Sequence, residues 1–324
     1  MPVGLGTEAD RSLEQAIKAS VKLALEAKPK NALEKSLEKC LQCLQPVAPP
    51  PSAAVVNERR SLRRRDSKWG TGGNPTPVLD KYHTRDIGEK GTLEWRRFIL
   101  DEDDQQISYW HDLPLVAGPT TLHAFVEIPK GTRAKYEVNP LESTNPIKQD
   151  EKKGKPRLYN IDIKWNYGAL PQTWEQPDHT WQGLEGYGGD DDPVDIVDLS
   201  SIKVETGSVI VVKPLAALAM IDEGEVDWKV VVINVADPKA ALVNTMEDVN
   251  THFPGEIDEI REWFTWYKAT DPETGARDPF KKNIFGFGGA ALDTSKTWGV
   301  IREAHGTWAN LVTRQVKAGE RKLA

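Results

Sequence analysis

The stretch SVIVVKPLAALAMIDEGEVDWKVVVINV, residues 208–235, makes two opposed demands on a fold. Its flanks are rich in β-branched residues and read as two strands. Its middle gathers Asp222, Glu223, Glu225 and Asp227, with Lys229 two positions on. Side chains alternate faces along an extended segment, so Asp227 and Lys229 share a face. Working outward, TLHAFVEIP, AKYEV and VDIVDL are further strand-like runs. Apolar residues at helical spacing come later, in MEDVNTHF, GEIDEIREWFTWYK and TSKTWGVIREAHGTWANLVTRQV. Strands first and helices afterwards predict an α+β fold, a β-barrel with helices packed outside it.

A second acidic run, GGDDDPVDIVD, places five aspartates in nine positions between Asp190 and Asp198. Crowded carboxylates must be solvated, partly protonated or balanced by cations. Alternation puts Asp190 and Asp192 on one face and Asp191 on the other; Pro193 bends the chain so that Asp195 rejoins the first two. The run is not an EF-hand, because the sixth residue from Asp190 is Asp195 rather than Gly and the twelfth is Ser201 rather than Glu. Carboxylates without His or Cys favour hard divalent cations, Mg²⁺ first, with Mn²⁺ or Ca²⁺ as competitors. A lone acidic run is usually a solvated loop, but a second cluster and several cationic residues accompany this one. Lys135 and Glu137 sit two apart on one strand face, KKGKPRLY offers Arg157, and NYGALPQTWE and WYK offer Tyr167, Tyr267 and Lys268. Arginine's planar fork suits paired phosphoryl oxygens, and lysine acts as a compact point charge.

Composition bounds the rest. The 324 residues include eleven Trp and 39% hydrophobic residues, enough for a packed core. Residues 1–80 carry a net charge of +4 and 81–324 a net −11, which disfavours a nucleic-acid surface and suits metal ions that mediate contact with an anion. Cys40 and Cys43 lack further Cys or His nearby and read as reduced thiols. No run is apolar enough to span a membrane, and early acidic residues argue against a transit or secretory peptide, so a cytoplasmic location is expected.

Three segments are expected: a helical extension over 1–45, a Pro/Arg/Gly-rich linker over 46–80, and a main folded domain over 81–324. Leu13, Ile17, Val21 and Leu25 mark one amphipathic helix, and Leu33, Leu37 and Leu41 another, with Asn31 and Glu34 as a capping pair. Isolated helices this short are marginal, so they should pack on a copy or a protein partner. KPKNALEKSLEKCL is similar to docking-and-dimerisation modules of the kinase-regulatory-subunit and Dpy-30 type; a surface-lying extension is the competing reading. The five arginines between Arg59 and Arg65 read as solvated linker, with Ser61 or Ser67 as kinase sites the alternative.

From Tyr82 to Val316 the chain resembles the soluble family I inorganic pyrophosphatases of eukaryotic type. The family's Asp-x-Asp-Pro-x-Asp signature stands here as Asp190, Asp192, Pro193 and Asp195, with VEIPKGTRAKYEV, NPIKQDEKKGKPR, NYGALPQTWE, DEGEVDWKV, EWFTWYK and HGTWANL in the same order. The resemblance implies a five-stranded OB-like barrel with external helices, a homodimer, and Mg²⁺-dependent hydrolysis of inorganic diphosphate. It implies Asp190, Asp195, Asp227, Asp222 and Glu137 as metal ligands and Asp192 as general base. Lys135, Arg157, Tyr167, Lys229, Tyr267 and Lys268 would hold the phosphoryl groups, and Glu127 and Glu175 would shape the cavity rim. The chain departs from the family between Arg157 and Tyr167, which is several residues shorter and has Ile163 where a tyrosine is expected. Loss of that hydroxyl predicts reduced turnover. The alternative is a pyrophosphatase-like subunit tethered through its N-terminal helices to a larger assembly, a cytoskeletal one for example.

Overall fold

A computed structural model describes residues 78–323. The N-terminal helices, Cys40, Cys43 and the Arg59–Arg65 block lie outside the described residues.

Five strands form the centre: β1 Thr121–Ile128, β2 Asn166–Ala169, β3 Asp195–Asp198, β4 Val209–Asp222 and β5 Glu225–Asn234. β1 pairs antiparallel with β2 and β4, and β2 pairs antiparallel with β3. β3 runs parallel to β5, which returns antiparallel to β4, so the pairing forms a closed circuit. Short strands lengthen the sheet, Gly188–Gly189 on β5 and Ile284–Phe285 on β4. A second sheet joins His83–Ile87, Arg96–Leu100, Ile147–Gln149 and Tyr136–Val138.

Three helices follow: α1 Met246–His252, α2 Glu256–Trp266 and α3 Thr294–Val312. Two of their starts are chemically marked. Thr245 and Asp248 exchange side-chain and backbone hydrogen bonds as a capping box, and Asp293 accepts from the Lys296 amide. β4 explains why two faces need covering. Its Ala217, Ala219 and Ile221 pack with Val300, Ile301 and Ala304 of α3, whereas the alternate Leu218 and Met220 pack with Ile260, Trp263 and Phe264 of α2. A strand buried on both sides reads as a continuous apolar run, which is how LAALAMI appears. No helix among the described residues is long and apolar enough to cross a membrane.

The hairpin joining β4 to β5 turns in two residues, Glu223 at φ 53° and Gly224 at φ 96°, with Asp222 paired to Glu225. Two left-handed residues match the right-handed twist of the flanking strands. A Cβ on Gly224 would meet no atom within 4 Å, so its replacement costs conformation rather than space. Gly224→Ala should lower stability by roughly 1 kcal/mol, read as an earlier urea midpoint with an unchanged slope. An unaltered midpoint would remove the backbone requirement.

Candidate active site

The end of this hairpin, the start of β3 and the residues entering β2 surround a cavity of about 220 Å³. Seven carboxylates line it: Glu127, Glu137, Asp190, Asp192, Asp195, Asp222 and Asp227. Lys135, Arg157 and Lys268 line it as well, with Tyr167 and Tyr267. Lys229 stands behind Asp195 and Asp227, and Glu175 beside Asp190 and Asp227. Every site residue expected from the sequence is therefore in or against one cavity.

Register brings the elements together. β3 and β5 place Asp195 opposite Lys229, and β4 and β5 place Met220 opposite Asp227. Lys229 is 1% exposed, and its ammonium donates to Asp195 at 2.5 Å, to Asp227, and to the Tyr167 hydroxyl at 3.0 Å. Tyr167 in turn donates to Asp195. Burial alone would lower the Lys229 pKa, but Asp195 and Asp227 outweigh it and raise it well above the ordinary value.

The carboxylates show the opposite stress. Burial, then the charge of Asp227 and Asp192, holds Asp190 well above the usual carboxylate range. Burial pushes Asp227 up to about 7, with Lys229 opposing. Asp192 keeps an accessible face toward the cavity, yet desolvation by the walls and then Glu137 push it up to about 7, with Lys135 opposing. Glu127 and Glu175, expected at the rim, are instead buried at 5% and 1% exposure. The reason is backbone anchoring: Glu127 accepts from the Val138 amide at 2.7 Å and Glu175 from the Trp228 amide at 2.9 Å.

This donor set fits a hard divalent cation. Oxygen atoms of Glu175, Asp190 and Asp227 lie within 4.8 Å of one another, and Oδ1 of Asp222 is buried without a hydrogen-bond partner. Glu175 thus joins the candidate ligands. The other Asp222 oxygen accepts from Lys268 at 2.5 Å and from Tyr267 at 3.3 Å. On the opposite wall Lys135 pairs with Glu137 at 2.5 Å and with Asp150 at 2.9 Å, and Arg157 shares Asp150. Asp150 was not anticipated; its only signal was its place in NPIKQDEKKGKPR.

Two sequence expectations change here. Asp190 and Asp192 do reach the same cavity, but not by strand alternation: Asp191 between them is left-handed at φ 78°, and the segment is a turn. Ile163 is fully buried in the apolar core and does not line the cavity. Tyr159, four residues earlier on the same strand, lines the cavity and packs edge-on to Tyr267 at 5.4 Å. The segment between Arg157 and Tyr167 therefore does bring a tyrosine to the wall, at position 159.

An all-oxygen carboxylate cage facing Arg, Lys and Tyr defines a metal-assisted hydrolase for a small, strongly anionic substrate. Comparison with known proteins narrows that class. A family model described as inorganic pyrophosphatase matches residues 124–308. Over 236 residues, covering 73% of this chain and 76% of the relative, the chain is 47% identical to soluble inorganic pyrophosphatase 6, chloroplastic, of Arabidopsis thaliana. It is 40% identical to human inorganic pyrophosphatase across 73% of this chain and 81% of that one. The type I enzyme of Toxoplasma gondii superposes with a TM-score of 0.66 at 38% identity, over 71% of this chain and 99% of that one. The chain belongs to the inorganic pyrophosphatase family.

Carboxylates raised by burial bind more protons in the folded than in the unfolded chain, so stability falls as pH rises. The melting temperature of metal-free protein should therefore decline as pH climbs from 3.8 toward about 7, the window set by Asp192 and Asp227. Saturating divalent cation should restore it most at the upper end. Calorimetry showing a metal-free melting temperature that rises across that window would contradict the charge balance described here.

Proposed function

We propose that this chain hydrolyses inorganic diphosphate to two phosphates with Mg²⁺, Mn²⁺ being a substitute. One observation carries the reading: an anionic substrate must enter a cavity whose carboxylates outnumber its cations seven to three, which requires bound metal. Asp190, Asp195, Asp227, Asp222 and Glu137 are proposed to hold the cations, with Glu175 beneath. When bound, such ions lower the pKa of a coordinated water and neutralise the diphosphate. Asp192, which keeps an accessible face toward the cavity, would accept a proton from water held there. Lys135, Arg157, Tyr167, Tyr267 and Lys268, which line the cavity, hold the phosphoryl oxygens and stabilise charge moving toward the leaving phosphate. Lys229, expected among them, is buried with its ammonium taken by Asp195, Asp227 and Tyr167, and positions those groups instead. Tyr159 adds a hydroxyl to that wall. A solved relative supports the substrate: the N-terminally truncated vacuolar soluble pyrophosphatase of Trypanosoma cruzi was crystallised in complex with PPi. That protein is 36% identical with a TM-score of 0.65, over 79% of this chain and 100% of its own.

The closed five-strand circuit is proposed to be an OB-like barrel, within a catalytic domain over 81–324 preceded by the linker and helical extension. A homodimer in the cytoplasm completes the proposal. The reading as a tethered subunit of reduced activity gains no support from the site, which lacks none of its expected carboxylates.

Phosphate release from diphosphate with Mg²⁺ tests the reaction directly. Asp192→Asn should lower kcat by about 10²- to 10⁴-fold, and equal release by both proteins would sink the mechanism. Tyr159→Phe should lower kcat by about two- to tenfold at an unchanged melting temperature; a rate identical to wild type would return Tyr159 to a packing role.

A further inference from the structure

Asp191 stands between two cavity carboxylates but does not line the cavity itself. Its left-handed backbone at φ 78° is what turns Asp190 and Asp192 inward together. An aspartate tolerates that conformation less well than glycine does, so something must hold it. Two side chains do. The Trp174 indole Nε1 donates to Asp191 Oδ1 at 2.9 Å, and the Arg321 guanidinium pairs with Oδ2.

Arg321 is itself fixed. Its guanidinium carbon lies 5.3 Å from the Trp174 ring centroid, over the ring, and Nη1 donates to the Ala318 carbonyl at 2.8 Å. The segment that carries it, after α3, is fastened by the Lys322 amide to the Pro140 carbonyl at 2.8 Å and by Asn145 Nδ2 to the Lys322 carbonyl at 3.2 Å. Val316, Ala318 and Leu323 pack against the third apolar cluster. Trp174 is held from the helix side, its amide donating to the Ala304 carbonyl at 2.9 Å. The turn is further bound edge to edge: the Asp191 amide donates to the Glu175 carbonyl, and the Glu175 amide to the Asp192 carbonyl, each at 2.9 Å. A Cβ on Gly189 would collide with the Glu175 carbonyl, so the turn cannot shift toward that segment.

We infer that Arg321 is a positioning residue for the reaction: with Trp174 it clamps Asp191 and so sets the spacing of Asp190 and Asp192. The inference rests on the proposed metal-dependent hydrolysis. Its geometry explains why a third aspartate occupies the turn where a glycine would meet the backbone requirement more easily. Asp191 supplies a carboxylate whose two oxygens are held separately, one by the indole and one by Nη2 of Arg321, while Nη1 of the same planar guanidinium is fixed by the Ala318 carbonyl.

The test uses the full chain and Mg²⁺ alone as the probe. Arg321→Gln should weaken Mg²⁺ binding, measured by calorimetry without diphosphate, by about tenfold. In turnover it should lower kcat more than it changes KM for diphosphate. Arg321→Lys keeps the charge without the fork and should recover part of the loss. Asp191→Asn retains an oxygen for Trp174 but loses the ion pair, and the double variant Arg321→Gln/Asp191→Asn should be no worse than the more impaired single variant. Wild-type protein that binds no Mg²⁺ would overturn the proposed function itself. Wild-type binding with unchanged Mg²⁺ affinity in Arg321→Gln and Asp191→Asn, or with additive losses in the double variant, would overturn the clamp alone.

Discussion

A buried ammonium holds the centre of this molecule together. Lys229 reaches Asp195 on the neighbouring parallel strand and Asp227 two residues back on its own, with the Tyr167 hydroxyl from the next strand as a third partner. Taking one charge from such a group leaves the other uncompensated in a poorly solvated place, a loss of about 3–5 kcal/mol in comparable cases. The strand register is thereby tied to the electrostatics. A slip of one residue between β3 and β5 would turn Lys229 toward the apolar core and leave Asp195 without its cation.

The same arrangement explains how so many acids share one cavity. Lys229, Lys135, Arg157 and Lys268 neutralise part of the charge through Asp195, Asp227, Glu137, Asp150 and Asp222. The remainder favours protonation, toward which burial and neighbouring charge push Asp190, Asp192 and Asp227, or bound cations. That residual demand is the chemical opening for metal and substrate together. It also puts a mechanical load on the turn at Asp191, because two mutually repelling carboxylates must be presented side by side.

Much of this was legible along the chain. The long β-branched runs became β1, β4 and β5, and the three helical patterns that follow the strands became α1, α2 and α3, because strong periodicity over many residues survives tertiary context. Of the second sheet only AKYEV was legible, as Tyr136–Val138. His83–Ile87 is HTRDI, exposed along its length, and such a strand is held by pairing to Arg96–Leu100 rather than by intrinsic preference. Tyr159 carried no signal beyond its residue type, and only the path of its strand shows that it faces the cavity. Asp150 had no signal beyond its place in NPIKQDEKKGKPR.

Most of the chemistry of the site was written in the chain, all but Tyr159 and Asp150 of the carboxylates, lysines, arginine and tyrosines that meet, since residue types in an ordered series of motifs carry that information without coordinates. So was the order of strands and helices. How those groups are oriented, and how deeply they are buried, came from folding in three dimensions. Glu175 moved from rim to floor, and Asp191, set by alternation on the face away from Asp190 and Asp192, turned out to be held by Trp174 and Arg321. Both depend on contacts between distant segments, β5 with Glu175 and the stretch after α3 with Asp191. Local patterns encode what a residue can do, whereas long-range packing decides what surrounds it, and the surroundings determine which carboxylates ionise.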